Sequence, residues 1–184
     1  IREGLTADSE AVAKGCATAL IKLGYSEYCN RLDDRALFDL LREFEQDHAG
    51  RAAGVVIGGQ SEIDSDIIPT ILEWIKDPPS DDRQHVHLIT LHQIAERQPQ
   101  SVAQYEDCLH NLDSQLTGRA RAEYITLLGE IISVADNPGR LAPLLIRELQ
   151  SSSDERVKNA CRNLAETNLY PLPRAVNQTR NNEN

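Results

Sequence analysis

The 184-residue chain carries 29 acidic against 19 basic residues, a formal net charge of −10, and a pI near 4.9 makes it a poor match for proteins that grip phosphate backbones through clustered Lys and Arg. With 40% hydrophobic and 26% charged residues it reads as a folded globular chain, and with 4% aromatic residues its core must rest on Leu, Ile, Val and Ala. No apolar run approaches the roughly 18–20 residues that span a bilayer, and the N-terminus lacks the basic-then-apolar layout of a secretion signal, so a cytoplasmic location is expected.

In chain order, the first long element is a helix in which Val12, Gly15, Cys16, Ala19, Leu20 and Leu23 recur at helical spacing, the pattern of one buried face. An amphipathic helix over Ala36–Phe44 follows, then a second one that opens near Ala49 and carries the small residues Ala52 and Ala53. The next pair is Ile67–Ile75 and a helix around Val86, divided by a polar turn from Asp77 to Asp82. Leu109 precedes a helix with Ala120, Tyr124, Leu127, Leu128 and Ile131 on one frame, and Leu141–Leu149 precedes a turn at Ser151–Asp154 and a helix around Val157. Asp82 and Asp154 are expected N-caps, because a short side-chain oxygen accepts the orphan N–H groups of a first turn. Pro69 and Pro143 are expected near helix starts, where a missing N–H does least harm. No strand pattern occurs, so the chain is read as all-α.

These pairs repeat. Val12, Ala49, Val86, Ala120 and Val157 follow at steps of 37, 37, 34 and 37 residues. An apolar residue stands eleven positions before each (Ile1, Phe38, Ile75, Leu109, Ile146) and another eight positions after each (Leu20, Ile57, Ile94, Leu128, Ala165). Each helical pair would bury its apolar face against its neighbours, so stacking makes one continuous core.

The stretch Leu141-Ala142-Pro143-Leu144-Leu145, with Leu149, Asp154, Val157-Lys158, Ala160 and Leu164, resembles a HEAT repeat with its leading Pro, turn Asp and Val-basic pair. Ile75-Lys76-Asp77-Pro78 and Leu128-Gly129-Glu130-Ile131 are similar to the same pattern in other copies. The resemblance covers residues 1–168 and implies a right-handed α-solenoid of about four and a half repeats. The first is partial, and the second helices are anchored near 49, 86, 120 and 157. Residues 169–184, with two prolines and an Asn-rich run, are read as an extended or disordered tail. The partial first copy and the absence of any Met lead to the expectation that further repeats lie upstream in a longer parent.

Catalytic and metal readings find little support in the residues. A di-iron member of this repeat class, deoxyhypusine hydroxylase, uses His-Glu dipeptides, but here His48, His85, His87, His92 and His110 are followed by Ala, Val, Leu, Gln and Asn. Cys16, Cys29, Cys108 and Cys161 show neither CxxC nor zinc spacing, and reduced thiols are expected. Neither a cofactor nor an enzymatic activity is therefore expected. Asp33-Asp34, Asp81-Asp82 and Glu43 with Glu45 are read as capping and solubilising charges.

The expected function is a protein-interaction scaffold. The resemblance implies that second helices line a concave surface, where Lys14, Arg51, His87, Arg121, Lys158 and Arg162 would form a basic ladder, either paired with the turn Asp of an adjacent copy or open to an acidic segment of another protein. Leu88, Leu91, His92 and Ile125 would add contacts. Gly50, Gly54 and Gly58, at intervals of four, either mark a short or frayed helix that tolerates glycine or form a smooth outward strip flanked by Arg51 and Val55, open to another helix. The alternative is a nucleic-acid-binding HEAT-like domain of the DNA-glycosylase kind, for which the basic residues are sparse.

Overall fold

The structure is a computed structural model, and it describes residues 2–5, 7–31, 34–43 and 47–151. Among these residues there is no strand, and ten α-helices and two 3₁₀ turns account for the secondary structure. The chain divides into two compact units, Ile1–Arg97 and Gln98–Asn184. No helix of the described residues is long and apolar enough to cross a membrane. The second helix of the last predicted repeat, with Asp154, Lys158 and Arg162, and the tail lie outside the described residues.

The first unit holds α1 (Arg2–Leu5), α2 (Glu10–Gly24), α3 (Asp34–Glu43), α4 (Asp47–Gly59), α5 (Ile67–Lys76) and α6 (Asp81–Arg97). α3 packs on α4 and α5 packs on α6, while α4 lies between α2 and α6. The carboxyl ends of α2, α4 and α6 meet, since Arg97 Nη1 donates to Gly59 O at 2.8 Å and Nη2 to Gly24 O at 3.4 Å. The three helices therefore run in the same direction as one layer. Their core is aliphatic, as the composition requires: Leu20, Ile57, Ile75 and Ile94, four of the apolar positions predicted on either side of the anchors, are all buried.

The α5–α6 turn is closed locally. Ser80 supplies the cap, with its hydroxyl accepting from Arg83 N at 3.3 Å, and Gln84 Nε2 donates to Ile75 O at 2.9 Å. Asp82 was the expected cap; it lies instead within the first turn of α6, where its charge still complements the helix dipole.

The expected buried face of α2 is displaced. Val12 is 50% and Leu23 38% exposed, and Gly15 and Ala19 are exposed too; the residues turned toward the core are Ala13, Ala17, Leu20 and Gly24. Two apolar stripes run side by side on this helix, and α4 covers the second. In the inner helices the anchors Ala49 and Val86 are buried as expected.

The second unit holds α7 (Pro99–Ala103), α8 (Glu106–Leu112), α9 (Gly118–Ile131) and α10 (Pro138–Ser151). α9 packs against α7 and α10, and α10 also meets α8. Ala120, Leu127, Leu128 and Ile131 on α9 are buried, with Leu109 and Leu112 from α8 and Leu141 and Leu145 from α10. Tyr124 is buried with its hydroxyl donating to Leu109 O at 2.9 Å. Burial pushes its phenol above the usual range. Pro143 falls inside α10 and not at its start, which is Pro138. Its ring faces solvent, and the carbonyl it leaves without an amide partner is that of the exposed Gly139.

Candidate functional site

The predicted site residues are dispersed, and most are buried. On α4, Gly50, Gly54, Val55 and Gly58 are buried and only Arg51 is exposed. The glycine strip is not an open surface, because it is where α4 meets α6. A Cβ on Gly54 would overlap the hydroxyl of Thr90, and one on Gly58 would overlap Gln93 Cβ and stand 3.0 Å from the backbone of Gln93 and Ile94. The absent side chains let α6 approach α4 backbone to backbone. On the other side, a Cβ on Gly59 would overlap Gly24 O, so α2 presses equally close. α2 and α6 also meet directly, with Tyr25 Oη donating to Gln93 Oε1 at 3.2 Å.

On α6, Leu88 and Leu91 are buried and cannot line a surface. His87, expected as a surface cation, is 2% exposed. Its ring lies 5.1 Å from Trp74, which in turn lies 4.9 Å from Phe38. Its Nε2 faces Leu41 O at 3.3 Å; a carbonyl only accepts, so Nε2 carries the proton. Burial pushes its pKa down to about 4, opposed by the Leu41 carbonyl and aided by the Arg83 charge. At neutral pH it is an uncharged core residue. His92 is largely covered, with Glu96 at 3.6 Å.

In the second unit Ile125 is buried. Arg121 belongs to an internal charge network, donating to Glu148, to Asp113 Oδ1 at 3.1 Å and to Asp113 O at 2.7 Å. The Glu148 carboxylate is the main cause holding the guanidinium pKa above its ordinary value. Arg147 Nη2 adds a bond to Asp113 at 2.6 Å. Lys14 is paired with Glu10 at 2.5 Å. Of the expected ladder, Lys14 and Arg121 are paired with carboxylates and His87 is buried and neutral, while Arg51 is exposed and Lys158 and Arg162 lie outside the described residues. Among the described residues no three of His, Cys, Asp and Glu converge on a common point.

Sequence reasoning missed the surface that the fold does expose. Among the described residues the exposed large hydrophobic side chains are Val12, Leu23, Tyr25 at 61% and Tyr28 at 50%. All four fall between residues 12 and 28, on α2 and the turn that follows it. Gly15 and Ala19 continue the apolar stripe between Val12 and Leu23, and Cys16 borders it beneath Gly4 of α1. Single exposed hydrophobics are ordinary; Val12 and Leu23 differ in lying on one face of α2 with Gly15 and Ala19 between them. The signal was available in the sequence as a helix with two adjacent apolar stripes, of which one neighbour covers only one.

The chain is similar in fold to an engineered protein whose crystal structure was determined by the Northeast Structural Genomics Consortium, with a TM-score of 0.57 and 15% identity over 86% of this chain and 74% of that one. At that identity the likeness concerns the fold alone. No protein-family model matches the chain, and no curated protein matches it.

Proposed function

We propose that the chain is a non-enzymatic protein-interaction module, a right-handed HEAT-type α-solenoid that binds a helical segment of a partner on the outer face of α2. The hairpins α3–α4 and α5–α6, with their second helices side by side, support the solenoid reading. A cytoplasmic setting fits the unpaired thiols Cys16, Cys29 and Cys108. The observation that carries the binding role is the apolar stripe Val12, Gly15, Ala19 and Leu23, exposed at the edge of a helical layer. Covering it removes apolar area from water at about 25 cal/mol per Å².

The test is capture by the immobilised full chain at nanomolar density. Leu23→Asp should reduce retention of bound protein at least tenfold, and Arg51→Glu, on the exposed face of α4, should leave it unchanged. Retention insensitive to Leu23→Asp would refute this assignment of the surface.

A further inference from the structure

We infer that α6 is a conformational coupling bar: it clamps other helices at both of its ends, and the two clamps engage and release together. The carboxyl ends of α2, α3, α4 and α5 each accept a side-chain donor from this one helix.

The amino end of α6 holds α3 and α5. Gln84 Nε2 donates to Ile75 O in the last turn of α5 at 2.9 Å. Arg83 Nη1 donates to Arg42 O and His87 Nε2 to Leu41 O, both at 3.3 Å and both in the last turn of α3. The carboxyl end of α6 holds α2 and α4, where Arg97 donates to Gly24 O and Gly59 O, the final residues of those helices. The last four carbonyls of a helix have no partner within it. Four helices of the first unit therefore complete their hydrogen bonding on α6. Gln84 and His87 are buried, so lifting α6 away strips their donors and the carbonyls they serve at the same moment.

The bar between the clamps has no slack. Arg83 and Arg97 are fourteen residues apart, roughly 21 Å at 1.5 Å per residue. Val86 to Leu91, Ile94 and Ala95 are buried along that length. Thr90 and Gln93 rest on Gly54 and Gly58 of α4 with no side chain interposed. A helix seated backbone to backbone in a close-packed interior cannot tilt at one end without lifting contacts along its length. Release of α3 and α5 at one end therefore loosens the hold on α2 and α4 at the other. The opening is a movement of α6 between two positions, not the separate fraying of four helix ends.

Trp74 reports on the amino-end clamp. It is the one tryptophan of the chain, and its ring lies 4.9 Å from Phe38 of α3 and 5.1 Å from His87 of α6. In the full chain, Arg97→Met removes the donors at the opposite end and keeps an apolar stem. Acrylamide quenching of Trp74 in the native state should then rise about twofold, although the substitution lies a whole helix away. The reciprocal variant is Arg83→Met, read by hydrogen exchange in the last turns of α2 and α4. The amides to follow are those that already exchange by local opening in the wild type, because a fall in global stability does not move them. They should exchange about fivefold faster, since coupling between two sites acts in both directions.

Lys76→Ala serves as the control: Lys76 is exposed and pairs with Glu73 of its own helix, and both readings should stay at their wild-type values. If Arg97→Met speeds exchange at Gly24 and Gly59 but leaves Trp74 quenching unchanged, the clamps are independent and the inference is overturned. Acceleration by Arg83→Met that stays confined to α3 and α5 overturns it too, as does a variant that moves neither end. An equal response to Lys76→Ala would show general loosening and no coupling through α6. Should a methionine variant fold too poorly to measure, Arg83→Lys and Arg97→Lys, which retain a single donor group, give the same pair of readings at smaller amplitude.

Discussion

Gly58 and Gly15 are the same residue type on two helices of one layer, and the same substitution should move stability in opposite directions. A methyl group at Gly58 meets Gln93 Cβ and α6 backbone, whereas at Gly15 nothing lies within 4 Å. Gly58→Ala gains about 1 kcal/mol of helix propensity but forces two backbones apart, for a net loss of roughly 1–2 kcal/mol. Gly15→Ala keeps the propensity gain, about 0.5–1 kcal/mol. Urea midpoints check both, and equal signs would contradict the packing described. His87 supplies a second test at this scale. Its folded-state pKa, about 4, lies below the ordinary 6.5, so the unfolded chain binds the proton first. The stability due to the neutral ring is complete above pH 6.5, declines as pH falls, and is lost below 4, an amount of at most about 3 kcal/mol. Between pH 7.5 and 4.5 the wild type should lose more stability than His87→Gln, in which the carboxylates titrate alike but the buried imidazole is gone.

At the scale of the helix, Arg97 closes two carboxyl ends at once. Its guanidinium satisfies the terminal carbonyls of Gly24 and Gly59, where a cation also complements both dipoles. Arg97→Ala should cost about 1–2 kcal/mol and speed amide exchange in the last turns of both α2 and α4. Arg97→Lys should protect one of the two at most, because an ammonium lacks the fork. How far such elements can be read from sequence depends on what fixes them. Leu20, Ile57, Ile94 and Leu128 sit eight residues after their anchors and are all buried, because burial at a helical period is a local pattern. The choice between Val12 and Ala13 as the inward residue is not local, since it depends on where α4 lies. The glycines of α4 look outward on a helical frame for the same reason: a stripe without side chains is ambiguous between an open groove and a neighbour's seat, and only the approach of Thr90 and Gln93 decides. Arg121 likewise carries no sequence mark that its partner is Glu148, 27 residues away on α10.

For the molecule as a whole, the two units rely on different chemistry. The first is held by close backbone contact along α2, α4 and α6; the second by aliphatic packing around Arg121, Asp113, Arg147 and Glu148. The Glu148 side chain is 6% and that of Asp113 15% exposed. Arg121→Ala would leave Glu148 buried with Arg147 at 3.6 Å as its remaining cation. A loss of about 2–3 kcal/mol is expected, somewhat below the usual cost of breaking a buried pair because Arg147 stays. Hydrogen exchange should accelerate chiefly within residues 98–151, and an equal change within residues 2–97 would contradict the division into units.

The bridge from Tyr25 to Gln93 crosses 68 residues of sequence and passes over a whole intervening helix. In an array of repeats each unit ordinarily touches only its neighbours, so its stability behaves as a sum along a line and its ends fray first. Here α4 is so thin at Gly58 and Gly59 that α2 reaches α6 directly, through Tyr25 and through Arg97 on Gly24. That is coupling between second neighbours. α2 cannot peel from the edge of the layer without also releasing the end of α6, so the first unit loses the option of unravelling helix by helix. Its unfolding becomes a single event, steeper in denaturant than a chain of independent hairpins of the same length.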